Sequence, residues 1–356
     1  MIDCYSHICP LKFMESFSKT KLKISWDHIS PGAKVTGGST LWDIEKRLKI
    51  ISKYENYRQV LVPSCEVIEP FFDPEDTNYL IRVFNDSLFE IINRHPNIFI
   101  AAVASLPINN IDAALREIDR TINEMGFKGI LMHTPVYIYR EGKSKSMGLT
   151  FENQRPLDSP EFWPIFEMMS QLALPIWIHP CGRGGVPSYK DEKPGRYGLD
   201  HILGWPIESA IAMSRLVSSG ILAKYPNLKF IIHHCGSAII PVLAGRLDNE
   251  FDKLESAGRL EWGPLCTESN FKQKKVLDYF KMFYGDTALY GDTSGLECGR
   301  NFFGTEHIVF GTDYPYDMAN GEKFIPKTIE AVNKMDISDS EKQMIFEGNI
   351  AQLLRL

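Results

Sequence analysis

The sequence predicts an α/β fold built as a distorted (β/α)8 barrel, and three observations carry that expectation. Short apolar, β-branched runs recur along the whole chain with helical stretches between them. The runs are continuously hydrophobic rather than alternating, as strands of a parallel sheet covered on both faces must be. Their polar residues stand at their C-terminal ends, the end where barrels of this class build their sites.

Taken in order, the runs are "MIDCYSHI" at the start, "RQVLVPS" (58–64), "FIAAVASLP" (99–107), "GILMHTP" (129–135), "PIWIHP" (175–180), "KFIIHH" (229–234), "ALYGDTS" (288–294) and "HIVFGTDYP" (307–315). Residues 110–125 and 207–224 read as helices, and the tail "EKQMIFEGNIAQLLRL" reads as two short helices closing the barrel. Three connections, 11–40, 136–160 and 181–204, exceed simple turns and follow strands one, four and five as lid or wall loops. No repeat or composition break divides the chain, so a single domain over 1–356 is expected.

With 44% hydrophobic and 24% charged residues in 356, the composition is that of a globular protein. A formal net charge of −6 without a long basic run argues against nucleic-acid binding. No apolar run is long enough for a membrane span, and no leader pattern opens the chain. The seven cysteines are scattered without a CxxC pair, which fits reduced thiols and a cytoplasmic location.

The polar strand ends are His7, Ser64, His133, His179, His233, His234, Asp292 and Asp313. Five of the nine histidines among them is more than scatter supplies. In "MIDCYSHICP", strand alternation puts Asp3, Tyr5 and His7 on one face. His7, His179 and Asp313, with a histidine from strand six, could surround one divalent cation of the zinc type. His233 and His234 are strand neighbours, so only one is expected in the barrel mouth, and the spacing before "CG" favours His234. Asp292 is a candidate for the mouth. His28, His95, His201 and His307 lack such context and read as structural.

These motifs carry a resemblance. "IDCYSHICP", "WIHP", the stretch from Gly204 to Arg246 and "FGTDYP" stand in the order found in the amidohydrolase superfamily. Within it they are similar to the branch of aminocarboxymuconate-semialdehyde decarboxylase and the resorcylate-type decarboxylases. The resemblance covers the chain end to end and implies a TIM barrel. It implies metal ligation by His7, His179 and Asp313, and catalysis by His234 and Asp313. It also implies that Arg47 binds a substrate carboxylate and that Arg246 reaches the pocket of a neighbouring subunit in a homodimer. The implied cofactor is one divalent metal, zinc first, with manganese or another first-row ion as alternatives.

Tyr5 departs from the family pattern, which has His there, or Glu in some aromatic-acid decarboxylases. A phenol ligates poorly unless ionised, and its usual pKa near 10 opposes that. Three roles are open: a phenolate ligand, a hydrogen-bonding group beside a metal held by the other three, or the mark of a weakened metal site.

Such a set supports non-oxidative decarboxylation of a hydroxylated aromatic or muconate-type acid. It equally supports hydrolysis of a lactone or amide through metal-bound water. Strand four ends in "GILMHTP" without a lysine to bridge two metals, which together with the resemblance favours decarboxylation. A small-molecule-binding barrel that lost its first ligand at Tyr5 is the non-enzymatic reading. Phe151, Trp163, Tyr189, Tyr197 and Trp205 are aromatics suited to a flat conjugated acid, and Trp205 is the substrate-binding candidate among them.

Overall fold

All but one of the expected strands form where the apolar runs stand. The protein is seen here as a computed structural model, which describes residues 1–23, 25–26, 38–64, 67–138, 154–181, 196–236, 238–267 and 274–356. The strands are β1 (Ile2–Ile8), β2 (Arg58–Pro63), β3 (Phe99–Ala102), β4 (Ile130–Thr134), β5 (Val136–Tyr137), β6 (Gln154–Arg155), β7 (Pro175–Pro180), β8 (Lys229–Ile232), β9 (Tyr284–Asp286) and β10 (Ile308–Val309). They form parallel sheets ordered β1-β2-β3 and β10-β9-β8-β7-β4, plus the antiparallel pair β5-β6. Isolated parallel bridges join the two parallel sheets at both edges, Ala104 to Ile130 and Ser6 to Tyr314. At the second seam the Asp313 N–H donates to the Tyr5 carbonyl at 3.0 Å.

The strands separate two cores, and their period of two sorts residues between them. Val60 and Val62 pack inward with Leu131, Trp177 and Ile231. Leu61, Ile176, Ile178, Phe230 and Ile232 pack outward under the helices. Trp177 is fully buried and spends its indole N–H on the Cys4 carbonyl, 3.0 Å away. The C-terminal helix Asn349–Leu354 adds Ile350, Leu353 and Leu354 to the inner core, the closing role expected of the tail.

The expected seventh strand is displaced. Residues 288–294 are a turn leading into the helix Thr293–Phe303, and the strand is Tyr284–Asp286. Asp292 is therefore the N-cap of that helix, accepting from the Ser294 N–H at 3.1 Å, and does not line the mouth. Gly220, at φ +84°, divides the expected helix over 207–224 into Trp205–Ser218 and Ile221–Lys224. Of the three long connections, β5-β6 frames residues 139–153, which with 27–37 and 182–195 lie outside the described residues. Among the described residues no helix is long and apolar enough to cross a membrane.

Candidate active site

The strand ends bring five imidazoles together. His7 lies 5.3 Å from His179 between ring centroids, His179 lies 5.3 Å from His233 and 6.4 Å from His234, and His133 lies 6.0 Å from His179. Three of the rings are oriented by the same device. His7 Nδ1 meets the Pro63 carbonyl at 2.8 Å, His179 Nδ1 the Pro180 carbonyl at 2.6 Å, and His234 Nδ1 the Ala288 carbonyl at 3.0 Å. A carbonyl only accepts, so each Nδ1 carries the proton and each Nε2 turns a lone pair to the site. His233 Nδ1 pairs with Asp286 Oδ2 at 2.8 Å, while Asp286 Oδ1 accepts from the Cys235 and Ala288 N–H groups.

Both strand-six histidines enter the site, contrary to the expectation that only one could. Strand β8 stops at Ile232, and His234 and Cys235 take left-handed conformations, φ +59° and +53°. The alternation that would part the two rings ends with the strand. His233 is fully buried and stacked on Tyr5, with centroids 3.5 Å apart and planes at 17°, whereas His234 is 7% exposed at the mouth. Burial and the neighbouring His7 hold the His233 pKa well below the usual histidine value. His179 is held low likewise, and the His133 value falls to about 3.

The first strand also departs from simple alternation. Its register against β2 shifts between Asp3 and Ser6, so Tyr5 and His7 reach the site while Asp3 turns away. Asp3 accepts from the Tyr57 hydroxyl and from the Thr312 N–H and hydroxyl, at 3.1 and 2.6 Å for the latter two. Gly311 makes the close approach at Tyr5 possible: a Cβ there would stand 2.7 Å from the Tyr5 Cβ.

Asp313 sits at φ +63°, with Oδ1 3.4 Å from His7 Nε2 and Oδ2 3.0 Å from the Tyr290 hydroxyl that donates to it. Burial opposes its charge, but His7, His234 and Tyr290 together hold its carboxyl below the usual carboxylate range. With His7 Nδ1 donating elsewhere, His7 Nε2 and Asp313 Oδ1 are two acceptors facing each other, an arrangement that needs a proton or a cation between them. The donor chemistry of His7, His179 and Asp313 fits a first-row divalent ion. Among the described residues, however, no three His, Cys, Asp or Glu side chains stand close enough to hold one. The His7–Asp313 pair is the part already in place. Tyr5 presents the face of its ring to His233.

Two arginine expectations fare differently. Arg47 is completely buried: its Nε donates to Gln59 Oε1 at 2.9 Å, one terminal nitrogen to the His7 carbonyl at 2.6 Å and the other to Ser6 Oγ. Its guanidinium lies 4.5 Å over the Tyr314 ring. Each of its three nitrogens bonds within the chain and no part of the side chain is exposed, so in this structure Arg47 ties β1 to β2 and no observed contact carries the expected substrate role. Arg246 is exposed on the helix Ile239–Ser256.

Trp205 packs beside the histidines, with ring centroids 5.3 Å from His179 and 6.2 Å from His234 and its indole nitrogen unpartnered. His201 packs against it at 4.3 Å, so this exposed histidine belongs to the rim and not to the scaffold as expected. Trp163 donates to the Asp158 carbonyl, Tyr197 is 75% exposed under Arg196, and Phe151, Tyr189 and His28 lie outside the described residues. His307 is structural, bonded to the Phe283 carbonyl.

Sequence reasoning missed Tyr290, Asp286 and Glu69. The first two follow from the misplaced strand: "YGDT" occurs at both 284–287 and 290–293, and the wrong copy was read as the strand. Glu69 follows β2, is 6% exposed, and burial pushes its carboxyl up to about 7. It lines a cavity of about 20 Å³ together with His133. A larger cavity of about 730 Å³ lies at the opposite ends of the strands, beside Met1, Arg58 and Ile98, and has none of the histidines in its wall.

The sequence profile of the amidohydrolase family matches residues 3–356, and the chain belongs to that family. A 2-amino-3-carboxymuconate-6-semialdehyde decarboxylase of Dictyostelium discoideum is 26% identical over 89% of this chain and 78% of its own length. A gamma-resorcylate decarboxylase of Polaromonas sp. is 27% identical over 89% of each chain. Among solved structures, a 5-carboxyvanillate decarboxylase of Sphingomonas paucimobilis superposes with a TM-score of 0.77 at 22% identity, covering 100% of this chain and 99% of its own. A dihydroxybenzoic acid decarboxylase of Polaromonas sp., crystallised with manganese and 2-nitroresorcinol, superposes at 0.74 with 24% identity, covering 100% and 96%. The fold is shared with these enzymes.

Proposed function

We propose that this amidohydrolase-family chain is a metal-dependent, non-oxidative decarboxylase of a hydroxylated aromatic or muconate-type carboxylic acid. The observation that carries the reading is the His7–Asp313 pair, two acceptors turned on one point at 3.4 Å. Relatives named as decarboxylases by both sequence and fold support the reaction class.

His7, His179 and Asp313 would hold the ion, which when bound supplies a positive charge to bind substrate oxygen and to withdraw electrons. Manganese is the first ion to test, since a solved relative holds it, with zinc second. Tyr5 takes the second of its three roles: its ring packs on His233 and its hydroxyl serves as a hydrogen-bonding group. Trp205 lies against the substrate ring and offers it an indole N–H.

His234, the more exposed of the pair, first takes a proton from solvent on its Nε2 lone pair and then delivers it to the ring carbon that bears the carboxylate. The C–C bond then breaks, CO2 leaves with no change of oxidation state at the protein, and solvent restores the proton. Asp313 is held ionised by its neighbours and acts as ligand and counter-charge, not as the resting acid. His233, held neutral, orients the Tyr5 ring by stacking.

The two parallel sheets with bridged edges support a closed (β/α)8 barrel with long loops after β1, β4 and β7, forming one domain over 1–356. Exposed Ile211, Val242 and Leu243, on packed helices beside Arg246, support a homodimer through this face. Free cysteines among the described residues support a cytoplasmic location.

The test is CO2 release from a panel of hydroxybenzoates and muconate-type acids, set against hydrolysis of lactones and amides, with manganese-loaded and chelator-treated protein. Metal-dependent CO2 release is expected. Turnover of lactones or amides alone would make the chain a hydrolase.

A further inference from the structure

A small cavity opens beside the histidine cluster, on a side that the chemistry above does not use. It measures about 20 Å³ and is lined by Val67, Glu69, Ser105, Leu131, His133 and Tyr137, among others. That volume admits one water-sized group, a single heavy atom with its hydrogen. Polar and apolar groups both line it, and the polar ones come from different segments near the strand ends. His133 is the penultimate residue of β4, in register with His179. Glu69 follows β2 in a segment whose Val67 packs on Tyr137 and Cys181.

The His133 Nε2 is buried with no hydrogen-bond partner. A buried polar nitrogen left this way costs about 1–3 kcal/mol and is retained in native structures where a ligand or water completes it. The Glu69 carboxyl is met by the backbone at Glu69 and Ile68. It retains capacity for another bond, since a carboxyl has several lone pairs. Burial disfavours its charge, so it is suited to pair with a neutral group.

We propose that this cavity is the subsite for a ring hydroxyl of the substrate, held between His133 and Glu69. The inference rests on the reading of the substrate as an aromatic acid, and it narrows the class. The acid carries a hydroxyl on the part of its ring that faces β2 and β4. A methoxy group or a second carboxylate has too many heavy atoms for the space, and a hydrogen leaves His133 unpartnered. A hydroxyl both donates and accepts, so it serves an imidazole nitrogen and a carboxyl at once.

Calorimetric titration of the manganese-loaded protein with benzoate, the three monohydroxybenzoates and their methoxy counterparts tests this. It is run on wild type, His133→Phe and Glu69→Leu, with thermal unfolding as the check on folding and CO2 release followed in parallel. One hydroxybenzoate should bind about ten- to a hundredfold more tightly than benzoate, and its methoxy counterpart should lose that gain. Both variants should bind benzoate as wild type does and lose the hydroxyl gain. A gain of equal size in wild type and in either folded variant overturns the subsite. CO2 release with an unmoved gain removes the subsite and leaves the decarboxylase. A gain lost in the variants without CO2 from any acid removes the decarboxylase and leaves the subsite. Absence of binding by every benzoate removes both.

Discussion

Two buried polar clusters lie on either side of β1, and they are built on opposite rules. Behind the strand, Arg47, Gln59, Ser6, Tyr57, Asp3 and Thr312 form a network in which the guanidinium, the carboxylate and all three hydroxyls bond one another or the backbone. In front of it, His133, His233 and His234 each keep a buried Nε2 with no partner. A satisfied buried network holds strands in register; an unsatisfied one stores a debt that a ligand settles. The difference shows which charged residues are scaffold and which are site, and it moves Arg47 from the second group to the first.

Breaking the scaffold should have the largest effect. Arg47→Met leaves Gln59 Oε1, the His7 carbonyl and Ser6 Oγ without their donor, and should cost about 4 kcal/mol. The measure is the urea midpoint of the metal-free protein; a midpoint within experimental scatter of wild type would void the contrast.

The next effect is set by pH. Glu69 ionises near 4.5 in the unfolded chain and at about 7 in the fold, so the native state binds its proton more tightly between those values. Its contribution to stability is complete below about pH 4.5, declines as pH rises, and is lost above about 7. Glu69→Gln does not titrate there. Wild type should therefore lose about 3 kcal/mol relative to the variant between pH 4.5 and 8, at 1.36 kcal/mol per unit. Denaturation curves at the two pH values check this, and parallel curves would show the carboxyl is not buried as described.

On the site side, His179→Gln should lower manganese affinity about a hundredfold while moving the metal-free urea midpoint by less than about 1 kcal/mol. A large stability loss with metal binding kept would reverse the assignment of this cluster. The smallest effect belongs to Tyr5→Phe, which should leave bound metal unchanged by elemental analysis. Loss of the metal would identify Tyr5 as a phenolate ligand.

The sequence by itself determined the alternation of strands and helices, because apolar runs and their period follow from residue type alone. It also determined that His7, His179 and Asp313 stand at strand ends, and the motifs around them carried the family. Where two readings had the same local letters, only the fold decided. The two "YGDT" segments are identical, yet one ends β9 with Asp286 on the buried His233, and the other caps a surface helix through Asp292. The bulge in β1 turned Asp3 away from the face that alternation assigned it, and the left-handed turn after Ile232 put both His233 and His234 in the site. Arg47 looks like any helical arginine until Gln59, Ser6 and the His7 carbonyl surround it. Propensity and period are properties of neighbours along the chain. A hydrogen-bond partner is a property of neighbours in space, and those exist only once β1, β2 and β10 have come together.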